Sequence, residues 1–246
     1  MPTTDKLDRR IQNEIAHGQF LREHGAGELW GWESVAGKVR WARRVEMLTS
    51  HVTPGMSVLE VGCGTGYFTK ELVKKGAQII AIDISEDLLE VARREISSSN
   101  VIFKLENAYS LKFKDSSFDT IVGSSVLHHL EVDKALSEFK RVLKPNGTIY
   151  FTEPNILNPQ IALQKNIPYL KKRMGDSPDE TAFSRWNMKR KLIAHGFKHV
   201  NIVPFDFLHP KTPKYFLRLV NNLGLIVEKI PLLSEIAGSL YIRAIK

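Results

Sequence analysis

Val58-Leu59-Glu60-Val61-Gly62-Cys63-Gly64-Thr65-Gly66-Tyr67-Phe68-Thr69 is the stretch on which the reading of this chain turns. The short run Val58 to Val61 has the composition of a buried strand. Three glycines follow at alternate positions, and a helical pattern opens after them. Glycine suits a place where the chain turns sharply and lets a ligand lie against its backbone. A helix starting there points unpaired N–H groups and the positive end of its dipole back at that ligand. Strand, tight loop and helix N-terminus together make the cradle of a nucleotide-type cofactor.

The spacing separates two kinds of cofactor. A dinucleotide fingerprint reads Gly-x-Gly-x-x-Gly. Here an acid, Glu60, stands two residues before the first of three alternating glycines. A carboxylate there repels a diphosphate and suits a ligand that carries an ammonium and a sulfonium. Downstream, the apolar run Ile79-Ile80-Ala81-Ile82 ends in Asp83, an acid at a strand tip where it can hold both hydroxyls of a ribose.

With these residues the sequence resembles the class I S-adenosylmethionine-dependent methyltransferases, of the small-molecule, type 11-like kind. The resemblance continues in register through Asn107-Ala108, Phe118–Val122, Val126-Leu127-His128-His129-Leu130 and Leu143–Thr148, over residues 52–153. It implies S-adenosylmethionine as cofactor and S-adenosylhomocysteine as product. It implies that Glu60, Gly62, Gly64 and Gly66 hold the methionine end, with Cys63 a small filler inside the loop. Asp83 and Ile84 would take the ribose and the adenine face, Asn107 and Ala108 the adenine amino edge. Ser124 and Val126 would line the floor through their backbones. The family usually has Asp where Asn107 stands; Asn still accepts through its amide oxygen.

The 246 residues suffice for one sizeable core. Cys63 is the only cysteine, so no disulfide forms within the chain and no cysteine-built metal cluster exists. No apolar run reaches the length of a membrane span, and the N-terminus lacks a signal-peptide core, so a cytoplasmic protein is expected. The formal charge of +8 allows anionic partners, but the basic residues are dispersed and no aromatic-interleaved run suggests a base-stacking platform. DNA is therefore not expected as a partner, and RNA is disfavoured.

From residue 57 strands and helices alternate, which argues a parallel sheet with helices on both faces. The family resemblance makes this a Rossmann-like seven-stranded, mostly parallel sheet whose last strand runs antiparallel beside the sixth. A single domain is expected: a helical cap over 1–51, the cofactor core over 52–153, and insertions over 154–183 and 206–237 that form an acceptor lid. In the cap, Val35, Val39, Ala42, Val45 and Leu48 are expected to face inward on a helix capped by Ser34. Trp30 and Trp32 either wall a pocket or staple the cap. In the second insertion, Tyr215–Leu233 reads as a buried helix, with peripheral membrane contact as the other reading.

Methyl transfer from a sulfonium asks the protein to align the reactants and exclude water. An oxygen or nitrogen acceptor also needs its proton removed, and histidine suits neutral pH. His128 and His129 follow the fourth strand, where the family places a functional histidine. Neighbouring residues point apart in regular structure, so at most one acts, and His128 is preferred. A metal set of His128, His129, Glu131 and Asp133 matches no ligand template, and no metal is expected. The Asn/Asp-Pro-Pro-Tyr run of enzymes that methylate base or amide nitrogens is missing, as are the paired glutamates of arginine methyltransferases. The expectation is methylation of a small molecule at oxygen, the acceptor being a glycan or lipid intermediate. A non-catalytic cofactor-binding module and an RNA or protein methyltransferase are the alternatives.

Overall fold

The computed structural model describes residues 3–25 and 31–246, with side chains from Leu7 onward. Trp30 lies outside the described residues. Seven strands form one sheet: β1 (Ser57–Val61), β2 (Gln78–Asp83), β3 (Val101–Leu105), β4 (Phe118–Ser124), β5 (Leu143–Pro154), β6 (Lys198–Phe205) and β7 (Ser239–Ile245). Their order is β3-β2-β1-β4-β5-β7-β6. The first five run parallel, while β7 slots antiparallel between β5 and β6. The expected fold class is therefore the observed one, with the last strand inside the sheet. From β1 the chain winds outward to β3 and then crosses back to β4. The carboxyl ends of β1 and β4 thus flank the point where the winding reverses, which is where open α/β sheets bind ligands.

The helices are α1 (Thr3–His24), α2 (Val35–Thr49), α3 (Thr69–Leu72), α4 (Glu86–Glu95), α5 (Val132–Val142), α6 (Pro159–Asn166), α7 (Pro168–Arg173), α8 (Arg185–Ala194) and α9 (Leu217–Val227). Local chemistry sets their ends. Ser34, Ser85 and Ser184 each accept from a backbone N–H in the first turn of α2, α4 and α8. Gly76, with φ of 72°, stops the short 3-10 turn that extends α3. One face of the sheet packs against α5 and α8 through Leu136, Phe139, Met188 and Leu192. The other packs against α2, α3 and α4 through Leu48, Leu72 and Leu89.

β5 starts at Leu143 and runs through Lys144–Gly147 with an irregularity, Asn146 standing at φ of 63°. The first insertion is helical, as α6 and α7, where proline opens each helix at its first position. Two sequence expectations change, both in helix faces. In α2 the buried side is Ala36, Gly37, Arg44 and Leu48, while Val35 and Val39 are 48% and 37% exposed. The cause is tertiary. A Cβ on Gly37 would stand 1.9 Å from the Gly31 carbonyl, and buried Arg44 donates to Ser239 Oγ at 2.9 Å. Those contacts rotate the helix away from its valine stripe. The second change is α9, in which Gly224 alone is buried.

Trp32 is buried and resolves one open reading. The guanidinium groups of Arg40 and Arg44 each lie 5.2 Å from its ring, and Trp41 lies 5.3 Å away. It packs as a staple of α2.

Candidate functional site

The glycine loop leaves β1 with three positive φ angles: 67° at Gly62, 53° at Gly64 and 81° at Gly66. Two of the glycines serve packing. A Cβ on Gly62 would meet Val126 Cγ2 at 2.3 Å, and one on Gly66 would meet Ile96 Cδ1 at 2.5 Å. Gly64 differs, because a Cβ there would find nothing within 4 Å. Its face of the turn is open, as a backbone that receives a ligand must be. Asp83 secures that turn. Its Oδ2 accepts from Gly64 N–H at 2.8 Å and its Oδ1 from Ser85 N–H at 2.9 Å. Each oxygen keeps a second lone pair free for a ribose hydroxyl. Burial pushes the Asp83 carboxyl above its ordinary range.

Glu60 is 1% exposed, and its Oε2 has no hydrogen-bond partner. Burial, with the Asp83 charge adding to it, pushes its carboxyl up to about 8. Burial, with the charges of Asp83 and Glu60 adding to it, holds the Cys63 thiol well above its usual value, which disfavours a reactive thiolate there. A buried acid without a partner, beside the open face of a glycine turn, has room for a cation from outside the protein. The residues present therefore fit S-adenosylmethionine, which brings an ammonium and a ribose.

The remaining predicted contacts are less uniform. Ala108 is buried, and Ile84, Asn107 and Ser124 are half-buried. Asn107 Oδ1 already accepts from Tyr109 N–H at 2.9 Å, which leaves it one lone pair. The Val126 backbone is engaged within the protein, its carbonyl keeping one lone pair. Its N–H donates to Glu153 Oε1 at 3.0 Å and its carbonyl accepts from His129 N–H at 3.1 Å. What it contributes is the methyl group against Gly62.

His128 and His129 sit on the 3-10 turn Leu127–His129 just past β4. The expectation that neighbouring residues point apart fails here. On this tight turn the two rings lie 4.2 Å apart and face one cluster. Glu153, fully buried at the end of β5, organises it. Glu153 accepts from the N–H groups of Val126, Leu127 and His128 at 3.0, 2.8 and 3.3 Å. It also accepts from His128 Nδ1 at 2.7 Å. That bond fixes the tautomer, so Nε2 carries the lone pair. Nε2 stands 3.9 Å from Glu180 Oε2.

Electrostatics then gives the two histidines different charges. Burial and the neighbouring His129 charge lower the pKa of His128, which keeps its ring neutral. Burial pulls His129 down as well, but Glu180 and Glu14 outweigh it and push its pKa up to about 9. His129 Nδ1 donates to Glu14 Oε2 at 2.7 Å and lies 3.6 Å from Glu180 Oε1. Ser177 Oγ donates to Glu14 Oε1 at 2.6 Å, and Lys165 pairs with Glu180 and Asp176. The cluster so joins α1, the β4 tip and the first insertion. Glu131 and Asp133, the other members of the metal set considered above, pair instead with Arg10 and Lys191. The sequence reading missed Glu14, Glu153 and Glu180 as site residues. Only Glu153, an acid at the end of a strand otherwise apolar on the core side, carried a signal.

Residues 59–151 match a family model described as a methyltransferase domain. A demethylmenaquinone methyltransferase of Symbiobacterium thermophilum is 37% identical over 149 residues, covering 57% of this chain and 54% of that one. Another, from Thermobifida fusca, is 28% identical over 184 residues, covering 67% and 78%. The chain thus spans about half the length of the first of these curated relatives. Among solved structures, a SAM-dependent methyltransferase of Thermotoga maritima superposes with a TM-score of 0.66 at 20% identity, over 93% of this chain and 97% of that one. A Haemonchus contortus phosphoethanolamine N-methyltransferase 2 in complex with S-adenosyl-L-methionine gives 0.61 at 16% identity, over 84% and 52%. The fold, the glycine loop with its acids, and these matches agree: residues 59–151 carry a methyltransferase domain on the fold of the class I S-adenosylmethionine-dependent methyltransferases.

Proposed function

We propose that this protein transfers a methyl group from S-adenosylmethionine to an oxygen of a small-molecule acceptor, a glycan or lipid intermediate, with His128 taking the acceptor's proton. The observation that carries the reading is the His128–Glu153 pair: a neutral imidazole with its lone pair on Nε2, oriented by a buried acid. In this reading Glu60 and the Gly64 turn hold the methionine end, Asp83 and Ile84 the ribose and adenine face, and Asn107 and Ala108 the adenine edge. Ser124 and the Val126 side chain form the floor. The bound sulfonium supplies an activated methyl. The acceptor oxygen forms its bond to that carbon as the carbon–sulfur bond breaks, and the oxygen's proton passes to Nε2. Glu153 stabilises the imidazolium that results. His129, already protonated, has no lone pair free to act as the base. Glu180 stands against Nε2, so the acceptor enters when the cover formed by α1 and the first insertion opens.

The test is release of S-adenosylhomocysteine with panels of hydroxylated lipid and glycan acceptors. Turnover with one of them, lost in His128→Ala while S-adenosylhomocysteine still binds, supports the reading. Turnover that survives in His128→Ala refutes the role of the base. A demethylated menaquinone, the acceptor in the relatives' names, is the second reading. It rests on the 37% identity of the shared core, and turnover with that acceptor alone would establish it.

A further inference from the structure

Helix α9 and the turns around it form a surface that stays exposed among the described residues. Along one helical face run Tyr215, Leu219, Leu223 and Ile226, and all four are exposed. Phe216 and Leu232 extend the patch, and Tyr215 and Leu232 are 82% and 83% exposed. The opposite face explains how the helix is attached. Gly224 packs closely on Phe207, and Glu228 receives a two-pronged pair from Arg43 on α2 at 2.6 and 2.5 Å. An isolated exposed leucine is ordinary, whereas a contiguous exposed apolar helix face marks an interaction site.

The charges around the patch name the partner. Lys211, Lys214, Arg218 and Lys229 are all exposed at its border. Between Phe207 and Leu233 the single acid is Glu228, and Arg43 neutralises it. A second copy of this chain would bring the same four cations against themselves. An anionic surface with an apolar interior matches both features at once, because cations engage the headgroups while the apolar face enters the acyl boundary. We infer that α9 and its flanking turns dock this protein onto an anionic phospholipid bilayer, lying in the interface. Among the described residues no helix is long and apolar enough to cross a membrane, so the contact is peripheral. The inference stands apart from the identity of the acceptor. If the acceptor is lipid-borne, docking also sets the enzyme beside it.

The full-length protein is tested by co-sedimentation with vesicles of mixed phosphatidylglycerol and phosphatidylcholine, and with vesicles of phosphatidylcholine alone. The expected result is binding to the anionic vesicles that weakens with added salt, and weak or no binding to the neutral ones. Lys214→Glu with Arg218→Glu should weaken it by about fivefold or more for each charge removed. Leu219→Gln, Leu223→Gln and Ile226→Gln together should abolish it, and because these side chains are exposed the variant keeps its circular dichroism and its binding of S-adenosylhomocysteine. Failure of the wild type to sediment with anionic vesicles overturns the inference. So does binding that the triple variant retains, or a stable dimer in light scattering whose dissociation by the triple variant shows that a second copy covers the face.

Discussion

Replacing Glu60 by Gln tests whether its buried carboxyl is kept for a cation that arrives with the cofactor. Glu60 is 1% exposed, one of its oxygens has no partner, and its pKa rises from 4.5 to about 8. The shift is about 3.5 units, which at about 1.4 kcal/mol per unit is roughly 5 kcal/mol. The sign follows from the direction. A folded pKa above the unfolded one means that the native state holds its proton over that window, so stability falls as pH rises from 4.5 to about 8 and is lowest above it. If ionisation admits a water to Oε2, the loss shrinks to about 2 kcal/mol. Gln keeps the shape and cannot ionise. Above pH 8 the ligand-free Gln variant should therefore melt roughly 5 to 20 °C higher than the wild type, and near pH 4.5 the two should converge. Binding should go the opposite way. S-adenosylhomocysteine brings an ammonium to this acid, so Glu60→Gln should weaken it about tenfold or more. In wild type, binding below pH 8 should release a proton, which calorimetry in buffers of different ionisation enthalpy detects. Equal melting of the two proteins across the pH range would refute the argument. So would undiminished ligand affinity in the variant.

Asp83→Ala should weaken S-adenosylhomocysteine at least about tenfold in calorimetry, because it removes the ribose acceptor and frees the Gly64 N–H it holds; unchanged affinity would sink the ribose assignment. Glu153→Gln should turn the His128 ring over to its other tautomer, because an amide N–H then faces Nδ1. Nitrogen-15 spectra of the histidines would show the proton moved to Nε2, and transfer to the acceptor should fall about 100-fold or more; an unmoved proton would count against Glu153 as the positioning residue. His129, raised from 6.5 to about 9, contributes to holding α1 fully below pH 6.5 and loses that contribution as pH rises through 9. Hydrogen exchange of residues 7–24, corrected for the intrinsic rate, should quicken over that window in wild type. It should already be fast in Glu14→Gln, and protection that ignores both changes would exclude the cluster as the clasp.

Much of the fold was legible because the relevant signals are local. The apolar runs that became β1 and β2 and the serine cap of α2 each rest on a few neighbouring residues. The proposed cofactor half of the site rests on signals of the same local kind. Glu60, the three glycines and Asp83 lie at strand tips whose positions follow from the alternation of strands and helices. Helix faces were harder. The valine stripe of α2 suggested one inward side, but the close approach of Gly37 to Gly31 and the burial of Arg44 chose another. In α9 the apolar content pointed to burial, and among the described residues its apolar face stays exposed.

The sequence by itself determined the doubly wound sheet, the glycine loop after its first strand, the acid at the second strand tip and the pair of histidines after the fourth. All of these are written in residues adjacent along the chain, where backbone geometry alone carries the information. The tertiary structure decided which histidine is neutral and which is charged. That difference depends on Glu153, which holds His128, and on Glu14 and Glu180, which hold His129. Glu14 and Glu180 reach the site from α1 and from the first insertion, far away along the chain. A histidine's charge is set by what stands within a few ångströms of its ring in a dry interior, and only the folded chain brings those acids there.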